Sequence, residues 1–112
     1  MTVPARNQME SKKKMDIIKS QNGNKLKVSV TGRVDTTTSP ALAEELENLS
    51  GVETLELDLS GVPYMSSAGL RCLLVSQKAM MKSGGEMVIS GVVPAVREVF
   101  DITGFSDIFT LV

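Results

Sequence analysis

The 112-residue chain reads as a small α/β domain: a mixed sheet that opens on an antiparallel hairpin, continues in parallel strands, and carries helices on one face. Three observations predict it. Short strand-like runs alternate with helical runs in the order β-β-α-β-α-β-α-β. Helical crossovers require the later strands to run parallel. And two central strands, residues 25–31 and 54–59, are apolar on one face and polar on the other, whereas a sheet covered on both faces needs strands that are apolar throughout. With right-handed crossovers, a single covered face means that the strands add in sequential order.

Residues 15–20 form a short first strand, and Gln21-Asn22-Gly23-Asn24 turns the chain, Asn-Gly being a strong hairpin signal. In residues 25–31, Leu26, Val28 and Val30 alternate with Lys25, Lys27, Ser29 and Thr31. Residues 32–38 are a loop. Ser39 then caps a helix with Pro40 at its first position. Leu42, Leu46 and Leu49 form its apolar face, and Ser50-Gly51 ends it. In residues 54–59, Leu55, Leu57 and Leu59 alternate with Thr54, Glu56 and Asp58. A second helix follows the Ser66-Ser67 turn and stops near Ser83 at Gly84-Gly85. Residues 86–90 are a fourth strand, 94–103 a third helix closed by Gly104, and 108–112 a last short strand. Parallel strands end at one edge of the sheet, where their ligands bind. The loops 32–38, 60–66 and 91–93 therefore converge, which places Asp35, Ser66 and Ser67 near one another.

The composition narrows the function. Hydrophobic residues make up 42% of the chain, enough for one modest core. Residues 1–14 read as a disordered tail or expression remnant, and 15–112 as the domain. Arg6, Lys12, Lys13 and Lys14 against Glu10 give the tail a net charge of +3, leaving −4 on the other 98 residues. An acidic body with few aromatic residues is a poor nucleic-acid binder. No apolar run reaches the ~18 residues of a membrane span. The lack of an apolar signal core and the single cysteine, Cys72, point to the cytoplasm. With no histidine, neither a Ser-His-Asp triad nor a histidine-ligated metal is available. Phosphate-loop and dinucleotide glycine patterns are missing, and no glycine stands two places before Ser66 or Ser67 as a nucleophile elbow uses. The expectation is a protein without catalytic residues, metal or cofactor.

The stretch around which the rest is organised is Tyr64-Met65-Ser66-Ser67-Ala68-Gly69-Leu70, between the 54–59 strand and the second helix. Ser66 or Ser67 can cap that helix through a side-chain oxygen. The free N–H groups and positive dipole end there also suit an anion, so an exposed serine could carry a phosphate. The longer run Leu57-Asp58-Leu59-Ser60-Gly61-Val62-Pro63-Tyr64-Met65-Ser66-Ser67-Ala68-Gly69-Leu70-Arg71, with Gly32-Arg33-Val34-Asp35 upstream, resembles the signature of bacterial anti-sigma factor antagonists, the STAS domain family. The resemblance spans residues 15–112 and implies the same one-sided, sequentially ordered fold.

It also implies a mechanism. An unphosphorylated antagonist binds an anti-sigma factor that is also a serine kinase and so frees the sigma factor. The kinase phosphorylates a serine at the start of the second helix, and a protein phosphatase reverses this. Aligned on Gly69, Ser67 matches the target serine. Ser66 stands where the best-known members have an acidic residue, and Ala68 where they have a second hydroxyl, so Ser66 is the second choice. The alternative is a STAS subunit of another signalling or lipid-transport assembly. An enzyme, the reading from a different class, lacks the residues for its chemistry.

Three further features have two readings each. Asp35 either turns its loop through side-chain bonds or, as the resemblance favours, binds the partner. Cys72 either packs as a small apolar residue or reacts, packing being the commoner fate of a free cysteine. On a helical wheel, Leu70, Leu73, Leu74, Met80 and Met81 form the core face, while Ala68, Cys72, Val75 and Ala79 form an opposite patch flanked by Arg71, Lys78 and Lys82. That patch is either a protein contact or the seat of a neighbouring helix. The expected partner surface comprises Asp35, Ser66, Ser67, Arg71, Cys72, Val75 and Ala79.

Overall fold

The computed structural model describes residues 15–47 and 49–112. The tail expected over residues 1–14 lies outside them. Among the described residues five strands, β1 (Met15–Asn22), β2 (Lys25–Gly32), β3 (Thr54–Gly61), β4 (Glu86–Ser90) and β5 (Thr110–Leu111), form one sheet in the order β1-β2-β3-β4-β5. β1 and β2 are antiparallel, and every later pair is parallel. The helices are α1 (Ser39–Glu45), α2 (Ser67–Lys82) and α3 (Pro94–Thr103).

The strand alternation decides which face is covered. Leu26, Val28 and Val30, then Leu55, Leu57 and Leu59, then Met87 and Ile89 are all buried. They share one core with Leu42 of α1, Leu70, Leu73 and Met80 of α2, and Val96 and Phe100 of α3. Burying each such side chain stabilises the fold by about 1.5–3 kcal/mol. The opposite face carries ion pairs, Lys25 to Glu56 at 3.6 Å and Lys27 to Asp58 at 4.0 Å, and the Ser90 hydroxyl donates to Glu56 at 2.9 Å. Exposed pairs of this kind contribute about 0–1 kcal/mol, so the polar face keeps the sheet open to water while the other face holds it together. Among the described residues no helix is long and apolar enough to cross a membrane.

Several elements differ from expectation. The hairpin turn is Gly23-Asn24, because Asn22 still pairs with Lys25; Gly23 has φ 64°, as the first central position of a II′ turn requires. α1 stops at Glu45 instead of reaching Ser50-Gly51. The Leu46 N–H reaches both the Leu42 and Ala43 carbonyls and the Glu47 N–H bonds the Glu44 carbonyl, tightening the chain out of the helix. Lys19 caps this end, donating to the Glu45 carbonyl at 3.2 Å and standing 3.0 Å from its carboxylate. The helix is capped at Thr38, with Ser39 already its first residue and Pro40 its second. The last strand shrinks to Thr110–Leu111 because a 3-10 turn, Phe105–Asp107, precedes it and the Ile108 and Phe109 N–H groups bond back to the Phe105 carbonyl, at 3.0 and 2.9 Å. That turn sets Phe105 and Phe100 edge-on to Phe109, at centroid distances of 5.4 and 5.5 Å.

The inward face of α2 is also rotated from expectation. Met81 is 66% exposed and Leu74 only half-buried, whereas Gly69, Cys72 and Ser76 are buried beside Leu70, Leu73 and Met80. Small residues let the helix approach its neighbours closely, so the core face turns toward them. The buried Ser76 hydroxyl is satisfied by the Cys72 carbonyl at 3.1 Å.

Candidate functional site

The site is built where the loops after β2 and β3 meet. Val34 and Met65 form an isolated parallel bridge: the Val34 N–H donates to the Tyr64 carbonyl at 3.0 Å and the Ser66 N–H to the Val34 carbonyl at 2.8 Å. The β4–α3 loop joins them at Gly91, where a Cβ would lie 2.8 Å from that of Ser60 and 3.1 Å from Asp58 Oδ1. All three loops therefore converge at the carboxyl end of the sheet.

Asp35 organises its own loop. Its Oδ1 accepts from the Thr37 hydroxyl at 2.7 Å, the Thr37 N–H at 3.0 Å and the Thr38 N–H at 3.1 Å. The Thr38 hydroxyl accepts from the Asp35 N–H at 2.8 Å and donates to the Arg33 carbonyl at 2.9 Å. These bonds, the Thr37 hydroxyl foremost, hold the Asp35 carboxyl well below the usual carboxylate range. Its ionised form supports the loop above the unfolded pKa of ~3.9, and that support is lost as pH falls through the lower folded value. Arg33 stands 3.6 Å from the other Asp35 oxygen and 4.5 Å over the Tyr64 ring. This Arg33–Tyr64 contact was not anticipated from sequence; a cation and a ring on two separate loops carry no shared periodicity.

The two serines have different environments. Ser66 is the N-cap of α2 and half-buried, its Oγ accepting from the Gly69 N–H at 3.4 Å. Ser67 is the first helical residue and is exposed. Gly69 is required by close approach: a Cβ there would meet Val34 Cγ1 at 2.7 Å and Met65 Cγ at 2.8 Å.

From Ser67 a groove of about 550 Å³ runs between α2 and α1. Ser67, Arg71, Cys72, Val75 and Ala79 line the α2 side, and Pro40 and Ala43 the α1 side. Five of the seven expected surface residues thus share one concavity, with Asp35 and Ser66 beside its end. The α2 patch divides between a buried and an open part. Cys72 is buried and faces α1 across the groove, whereas Val75 is 61% exposed and Ala79 is open. The α1 wall is built from Pro40 and Ala43, small residues outside the Leu42–Leu46–Leu49 stripe, so the sequence named no residues for it.

Burial pushes the Cys72 thiol up to about 11. Its thiolate fraction at neutral pH is then ~10⁻⁴, against a few per cent for a free cysteine. Iodoacetamide is expected to modify native Cys72 at least tenfold more slowly than the urea-unfolded chain; equal rates would contradict its packing role.

The STAS domain family model matches residues 16–112. The chain belongs to the STAS domain family. It is 33% identical over 93 residues to the anti-sigma-B factor antagonist of Bacillus subtilis, covering 81% of this chain and 84% of that protein. The crystal structure of an anti-sigma factor antagonist from Mycobacterium paratuberculosis superposes with a TM-score of 0.77 at 27% identity, over 87% of this chain and 84% of that one. The Bacillus cell fate determinant SpoIIAA shares the STAS fold in two forms. The unphosphorylated form matches with a TM-score of 0.76 at 15% identity, over 87% of this chain and 88% of its own; the phosphorylated form matches at 0.69 and 14%, over 87% and 91%.

Proposed function

We propose that this STAS domain is an anti-sigma factor antagonist, a binding module of the cytoplasm whose partner is an anti-sigma factor with serine kinase activity. Phosphorylation of Ser67 switches it off, and a protein phosphatase restores it. The names of relatives above 30% identity support the antagonist role. The observation that favours Ser67 over Ser66 is the division of labour at the start of α2: Ser66 spends its oxygen on the helix cap, and Ser67 is exposed at the mouth of the groove.

Magnitudes explain why such a modification would break a complex and spare the fold. A phosphoserine carries about −1.5 to −2 charges at neutral pH. In the free domain the α2 N-terminus favours that charge by ~0.3–1 kcal/mol. Within a closed interface the same group loses water at a cost of several kcal/mol when unpaired. Repulsion wins at the contact, and the domain stays folded.

With the cognate kinase and ATP, phosphopeptide mapping is expected to place the phosphate on Ser67. Ser67→Ala should bind the partner and resist the kinase, while Ser67→Asp should bind much more weakly. Phosphate on Ser66 with Ser67 untouched would overturn the assignment.

A further inference from the structure

We infer that Arg71 is a built-in receptor for the phosphate of Ser67, so that modification takes a free arginine away from the partner surface. This pairing rests on the Ser67 switch proposed above and turns a simple repulsion into an exchange of partners. Ser67 opens α2 and Arg71 stands four residues on, which makes their side chains neighbours on one helix face. Helical side chains lean toward the N-terminus, carrying that of Arg71 over the turn that begins at Ser67. Both residues are exposed, and both line the α1–α2 groove. Arg71 is also unengaged. Arg33 meets Asp35 and Tyr64, and Arg97 meets Asp101, but Arg71 has no ionic, hydrogen-bonding or ring partner among the described residues.

A phosphate on Ser67 would present three acceptor oxygens to a planar guanidinium fork that matches them bidentately. An anion four residues before a cation is also the favoured order along a helix. The other charges near the groove are less suited. Glu47 on its wall is an anion, Arg33 is held by Asp35 and Tyr64, and Lys78 and Lys82 lie three turns or more along α2. In the unmodified protein the Arg71 guanidinium is free to receive a carboxylate of the partner. Phosphorylation then adds an anion to the contact surface and neutralises the cation beside it.

The test is a phosphorus-31 NMR titration of the full chain carrying genetically installed phosphoserine at position 67, at low ionic strength. An arginine beside the phosphate favours its dianion, so Arg71→Gln should weaken the second proton dissociation roughly two-fold. Arg71→Lys should recover part of the difference, and Lys78→Gln should titrate as wild type. Circular dichroism of each variant checks that the fold is unchanged. Identical titration of wild type and Arg71→Gln overturns the pairing, as does a Lys78→Gln shift equal to that of Arg71→Gln, which would reveal only the field of the whole domain. Because the phosphoserine is installed and not made by a kinase, a flat result strikes Arg71 alone. A native phosphate mapped to Ser66 would strike the proposed switch and leave the titration standing.

Discussion

Val75→Glu is expected to weaken binding of the anti-sigma factor at least 100-fold while leaving the domain folded. Val75 is 61% exposed on the α2 wall of the groove, so its replacement opens no cavity in the core. In the free domain the new carboxylate stands in water, three residues before Lys78, where a helical ion pair is favourable by a few tenths of a kcal/mol. In the complex it would be stripped of water on an apolar wall, a cost of several kcal/mol for an unpaired charge. Since about 1.4 kcal/mol is tenfold in affinity, even a partial penalty of ~3 kcal/mol reaches 100-fold. Calorimetric titration reads the loss, and circular dichroism with a thermal melt reads the fold. A variant that unfolds would make Val75 core, and one that binds normally would place the contact elsewhere.

Gly69→Ala is expected to destabilise the domain by ~1–3 kcal/mol, the usual cost of overpacking a filled interior. Glycine to alanine in an unconstrained helix interior stabilises by ~0.5–1 kcal/mol, so the sign of the change separates the two effects. Here the added methyl would press on Val34 Cγ1 at 2.7 Å and Met65 Cγ at 2.8 Å, side chains only 0% and 2% exposed. Those residues form the bridge between the two loops, so relieving the clash also moves Ser66 and Asp35. At roughly 4–8 °C per kcal/mol for a domain of this size, the melting temperature should fall measurably. A rise would mean that helix propensity dominates and that the packing around Gly69 is loose.

The sheet was legible because β2 and β3 alternate strictly, and a period of two fixes which side chains share a face. The limits of α1 were not, because Leu46 and Leu49 continue the helical spacing while tightened backbone bonds turn the chain away after Glu45. The inward face of α2 was misjudged for a related reason. A wheel weights large apolar residues, whereas close packing here also falls on Gly69 and Ser76, which a wheel discounts, and on Cys72, which it set on the opposite patch. The Ser66-Ser67 stretch was legible as the capped start of α2, but which of the two serines caps it was not: that depends on which hydroxyl the Gly69 N–H selects. The groove was half legible, its α2 wall from the patch at Cys72, Val75 and Ala79, its α1 wall only from the packing of two helices.

One phosphate on Ser67 is expected to end partner binding without refolding the domain. The most direct measurement is calorimetric titration of the anti-sigma factor into two samples, the unmodified protein and the protein stoichiometrically phosphorylated at Ser67, each with its circular dichroism spectrum. Affinity at least 100-fold lower for the phosphorylated sample, with superimposable spectra, is the predicted result; equal affinity for the two samples would contradict it.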